Sequence, residues 1–155
     1  MKEHYVSYEQ AVALKRMGFA EKVNHAYLKK ISIEPEVSVG DLKEVHCKDP
    51  KNYNDNRKGA EKGLFFYSAP RLDQATAWIR DKGIHISVNP YMGYDVDADG
   101  ALYNEYPSWS FELMKVANAD FLKDAGGNHD SYESALSAGL DAALELLGKE
   151  VNNGM

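Results

Sequence analysis

Cys47 is the only cysteine in 155 residues, so neither an intramolecular disulfide nor a thiolate metal site is open to this chain. A nucleophilic role for Cys47 needs a lowered thiol pKa and a base within reach. His46 is adjacent in sequence, where side chains commonly point apart, so the thiol reads as incidental in a reducing compartment. The chain also lacks any run approaching the roughly 20 apolar residues of a membrane-spanning helix. Its opening, Met1-Lys2-Glu3-His4-Tyr5, has no apolar signal region, which gives the expectation of a cytoplasmic protein. Positive charge is scarce as well. Residues 71–155 hold 6 Lys and Arg against 14 Asp and Glu, whereas residues 1–70 hold 12 against 10, and the whole chain carries −6. Binding to nucleic acid through phosphates requires a basic stripe, and the second half has the opposite sign.

What is present is ordinary globular composition, 44% hydrophobic and 27% charged, in a length that suits one domain with its own core. Ser7 and Gln10 have capping-box spacing, and Tyr8, Ala11, Val12 and Leu14 form an apolar stripe that ends at Gly18, which predicts a helix from Tyr8 to Met17. His25–Ile33 is rich in aromatic and β-branched residues and reads as a strand. Residues 34–62 are poor in large apolar side chains and rich in Asn, Asp, Lys and Gly, and read as a long mobile loop with room for a short strand at Val37–Val39 or Leu42–Val45.

After the apolar run Leu64–Tyr67, Ser68 and Pro70 look like the start of a second helix carrying Leu72, Ala75, Trp78 and Ile79, with Gly83 as its stop. Ile84–Val88 and Trp109–Leu113 alternate apolar and polar as half-buried strands do. Asp99-Gly100 is a turn signal between Tyr94–Asp97 and Ala101–Tyr103. Asp130 and Glu133 have capping-box spacing, with Asp130 as the cap of a last helix lined by Tyr132, Leu136, Gly139/Leu140, Ala143 and Leu147 and with Gly148 as its natural terminator. The fold expectation is α+β: an antiparallel sheet of three to five strands with two or three helices on one face. Residues 1–149 form one domain in this reading, and 150–155 a frayed tail.

The segments Tyr67–Val88 and Ser108–Val116, with Ser131–Leu147 and the opening Val6–Phe19, together resemble a group of small proteins encoded by phages and prophages of gut bacteria. The resemblance implies a phage or mobile-element origin and a home in the host cytoplasm. It brings no activity, cofactor or site residues.

Three constellations are candidates for chemistry. Asp95, Asp97 and Asp99 followed by Gly100 match the first half of a calcium loop, but the position of the bidentate glutamate is Tyr106, so the stretch reads as a hairpin turn rather than a metal site. His85 and Glu112 fall on the polar side of the two alternating strands and are a candidate acid–base pair if those strands are neighbours. Tyr91, Tyr94, Tyr103 and Tyr106, with Trp109, lie within 19 residues. Tyrosine combines contact area with low entropy cost, which makes these four candidates for binding a host or phage protein. His4, His25 and His129 read as surface or cap residues. The functional expectation is a non-catalytic accessory protein that binds another protein; the alternative is a small enzyme or metal-binding protein.

Overall fold

The computed structural model describes residues 4–30, 42–55, 63–124 and 128–153. Among these the order is α1 (Tyr8–Arg16), β1 (Val23–Lys30), β2 (Leu42–Lys51), β3 (Leu64–Ser68), α2 (Leu72–Asp81), β4 (Ile84–Val96), β5 (Leu102–Lys115), β6 (Phe121–Asp124) and α3 (Tyr132–Asn153). The protein has an α+β fold with two three-stranded antiparallel sheets, in the orders β2-β1-β3 and β4-β5-β6. The chain divides into two compact units, residues 1–75 with 147–155 and residues 76–146. No helix among the described residues is long and apolar enough to cross a membrane.

In the first unit, both halves of the α1 capping box form: Gln10 N donates to Ser7 Oγ at 3.2 Å, and Ser7 N donates to Gln10 Oε1 at 2.8 Å. Gly18, at φ +89°, takes the left-handed turn that ends the helix. Leu14, Phe19, Val6 and Ala26 are fully buried, and Tyr27 anchors this core by donating from its hydroxyl to Val6 O at 2.7 Å. The N-terminal segment is held by an antiparallel bridge between Tyr5 and Arg71, with Val6 N bonded to Pro70 O at 3.0 Å and Leu72 N to His4 O at 2.8 Å.

The structure departs from the sequence reading in this unit at three places. The stretch 34–62 reads as loop with at most a short strand, yet β2 occupies ten residues of it from Leu42; the alternative strand Val37–Val39 lies outside the described residues, as do all of 31–41 and 56–62. β2 is an edge strand that pairs by its backbone with β1 and is exposed along nearly its whole length, so it carries no apolar alternation to announce it. Ser68 is the last residue of β3 and does not cap α2, whose first turn is closed by Ala75 N donating to Arg71 O at 2.9 Å. His25, expected at the surface, is buried and stacked on Tyr5 with ring centroids 4.3 Å apart.

In the second unit, Ile84, Ile86, Phe111 and Leu113 are buried together, as alternation requires. Helix α3 lies close on that face. A Cβ placed on Gly139 would stand 2.6 Å from Ile86 Cγ2 and 3.3 Å from the Phe111 ring, so only glycine fits that approach. Ser131 caps α3, its Oγ accepting from Ser134 N at 3.1 Å, in place of the expected Asp130. Gly148 does not terminate the helix, which runs to Asn153, so the tail expected to fray from 150 is helical through 153.

Candidate functional site

The short strands expected around Asp99-Gly100 and farther out merge into one long hairpin. β4 runs for 13 residues and β5 for 14, paired from Ile84↔Lys115 to Val96↔Leu102. Its turn is built by Asp97: Asp97 N donates to Ala101 O at 3.0 Å, and Asp97 Oδ1 accepts from both Asp99 N and Ala101 N at 2.9 Å. Gly100 supplies the left-handed residue at φ +83°. Asp95 accepts from Asn104 Nδ2 at 2.9 Å. Asp97 and Asp99 are therefore placed in the turn and Asp95 at the end of β4, with Asp97 held by turn amides and Asp95 by Asn104 across the hairpin. Among the described residues, no group of three His, Cys, Asp or Glu side chains is arranged to hold a metal ion.

The register places His85 opposite Met114 and Glu112 opposite Ser87, so the candidate acid–base residues are diagonal on their face rather than paired. Diagonal neighbours have backbones about 7–8 Å apart, still within reach of long side chains. His85 Nδ1 instead accepts from Arg80 Nε at 3.3 Å.

The four tyrosines divide in role. Tyr106 lies across Gly93, which it faces in the register, and its ring occupies the space where any Cβ on Gly93 would be. Tyr91 hydroxyl accepts from Asn128 N at 2.5 Å and donates to Asn128 Oδ1 at 3.2 Å, tying the hairpin to residue 128. Tyr94 and Tyr103 are exposed. Between Gly93 and Asp95 the register shifts: β5 contributes Asn104 and Glu105 opposite Tyr94 alone, and Asn104 takes φ 52°. A bulge of this kind twists the hairpin where it occurs.

Beyond that core the hairpin continues as a two-stranded arm. Two-residue spacing puts Met92, Tyr94 and Val96 on the face of β4 that carries Ile84 and Ile86. There Met92 is 49% exposed, Val96 60%, and Leu102, opposite Val96, 63%. The apolar face thus runs past the buried core into solvent. No lysine or arginine occurs between Lys82 and Lys115, whereas Asp95, Asp97, Asp99, Glu105 and Glu112 do, so the arm is apolar on one face and acidic around it. The sequence reading found the tyrosines but missed Met92, Val96 and Leu102, although their alternation with polar residues was the available signal.

The first unit holds a cleft of about 270 Å³ lined by Tyr5, Val23, Asn24, His46, Ala69, Pro70, Arg71 and Gln74. His25 lies behind Tyr5 and opposite His46 in the register, and burial pushes its pKa below the ordinary histidine value, with Glu44 raising it and His46 lowering it. Cys47, next to His46 on β2, is half-buried beside Tyr53, whose hydroxyl is pushed up to about 12, first by burial and then by the thiol. Comparison with protein-family models, with curated proteins and with solved structures gave no match.

Proposed function

We propose that this is a non-catalytic accessory protein that grips another protein with the β4–β5 arm. The carrying observation is the exposed apolar face of Met92, Tyr94, Val96 and Leu102 within a hairpin arm that holds no lysine or arginine. Apolar and aromatic anchors inside a charged rim are the usual make-up of a recognition surface. The partner of matching chemistry is a protein with an apolar groove flanked by Lys and Arg. Self-association through this face would bring acidic rims together, and a phosphate backbone would be repelled. The resemblance of the flanking segments to phage and prophage proteins supports a host or phage protein as that partner, met in the bacterial cytoplasm. The alternative of a small enzyme gains no support from the diagonal placement of His85 and Glu112.

The test is site-specific photo-crosslinking in the bacterial host, with the reactive group at Leu102 on the arm or, as control, at exposed Glu21. The expected result is a discrete adduct from position 102 alone, with a protein whose surface is basic, lost in the Met92→Ser/Val96→Ser variant. Exposed substitutions of this kind shift stability by only about 0.5 kcal/mol, so loss of the adduct reports binding. No arm-specific adduct, or an adduct only between two copies of this chain, would refute the reading.

A further inference from the structure

The cleft of the first unit rests on observations separate from the arm. Asn24 Nδ2 donates to Cys47 O and Lys48 O, both at 3.0 Å, and this clamps β2 at the register shift between Val23 and His25. Gln74 Nε2 donates to Glu21 Oε2 and Lys22 O, both at 3.3 Å. With their amide donors engaged, these two cleft-lining side chains keep carbonyl oxygens as their remaining polar atoms. Arg71 meets Asp73 along one edge of its guanidinium, Nε to Oδ1 at 3.2 Å and Nη2 to Oδ2 at 3.3 Å, which leaves Nη1. That pair is largely exposed and is of little net worth in water, so it yields readily to a bound group. Val23, Ala69 and Pro70 complete the lining with apolar surface.

The lining therefore offers two carbonyl acceptors without a carboxylate, one guanidinium already balanced by Asp73, an imidazole at His46 and an apolar patch. The nearest carboxylates, Glu21 and Asp73, are already bonded to Gln74 and Arg71, so a full cation or a strong anion finds only a shared counter-charge there. A molecule bearing both charges and no net charge matches every group. We propose that this cleft binds a small zwitterion of the α-amino acid type, its ammonium received by the side-chain carbonyls of Asn24 and Gln74 and its carboxylate by Arg71 beside His46. The volume, just below the about 300–1,000 Å³ of drug-sized ligand sites, suits a molecule of that size. The walls are built before any ligand arrives: the Tyr5–Arg71 bridge fixes one side, the Tyr5–His25 stack backs it, and the Asn24 clamp fixes β2 opposite.

The experiment uses the full chain and follows the His46 ring resonances and the melting temperature with each standard amino acid at millimolar concentration. The hits are then compared with their N-acetyl and carboxamide derivatives. The expected result is saturable binding of one or a few free amino acids, weakened by roughly tenfold to a hundredfold when either charge is blocked or when Arg71 is changed to Gln, as for loss of a charge-assisted hydrogen bond. Gln74→Met, which keeps length but removes the carbonyl, should weaken the free amino acid and leave the N-acetyl form unaffected. Absence of binding by all standard amino acids overturns the proposal. So does equal binding of the blocked forms, or unchanged affinity in Arg71→Gln and Gln74→Met.

Discussion

Gly139→Ala and Gly148→Ala make the same chemical change in one helix and are expected to have opposite signs. In a helix interior alanine is favoured over glycine by about 0.8–1.0 kcal/mol, through backbone entropy. At Gly148 the new Cβ would meet, among the described residues, only Met17 Cε, at 3.7 Å, an ordinary contact, so most of that gain should appear. At Gly139 it would stand 2.6 Å from Ile86 Cγ2, roughly 1 Å inside the optimal separation of about 3.5–4.0 Å. Ile86 is buried in a sheet and stiff at χ1, so it cannot simply rotate away. Overpacking of this kind costs about 1–3 kcal/mol, which offsets the helix gain and leaves Gly139→Ala destabilised by up to about 2 kcal/mol. Urea denaturation at neutral pH measures both variants. For a chain of this size, 1 kcal/mol corresponds to about 2–4 °C in melting temperature. Combining Gly139→Ala with Ile86→Ala, which removes Cγ2, should show a favourable coupling of about 1–3 kcal/mol. Stabilisation of Gly139→Ala as large as that of Gly148→Ala would refute the close seating of α3 on the sheet.

Three further outcomes are accessible to simple measurements. Burial depresses the His25 pKa below 6.5, so as pH falls through 6.5 the unfolded chain takes up the proton first; stability is lost from there down to the folded pKa and levels off below it. The urea midpoint should fall across that window in the wild type, and less so in His25→Phe, which keeps the ring against Tyr5 and Tyr27. Asp97→Ala removes the oxygen that accepts two turn amides and should lower stability by about 1 kcal/mol. Millimolar calcium should leave the melting temperature of the wild type unchanged, and a calcium-dependent rise that vanishes in Asp97→Ala would refute the assignment of Asp97 to the turn.

The sequence by itself determined those features whose causes are local. The Ser7/Gln10 capping box, the Asp99-Gly100 turn and the alternation from Ile84 to Val88 each specify conformation through neighbours within a few residues, and each forms as read. The polarity of the second half was equally plain, because charge needs no fold to be counted. Tertiary structure alone decided the rest. β2 exists because its backbone completes β1, and an exposed edge strand carries no pattern of buried residues. Gly148 ends nothing because α3 continues through it, and Ser68 finishes β3 although a serine ahead of Pro70 has the form of a helix start. The candidate pair His85 and Glu112 depended on a register that no property of either strand fixes alone. The cleft was least legible of all, for it gathers Tyr5, Asn24, His46, Arg71 and Gln74 from separated stretches of chain. Those residues share no spacing and meet only where the N-terminal segment pairs with Arg71 and β2 pairs with β1.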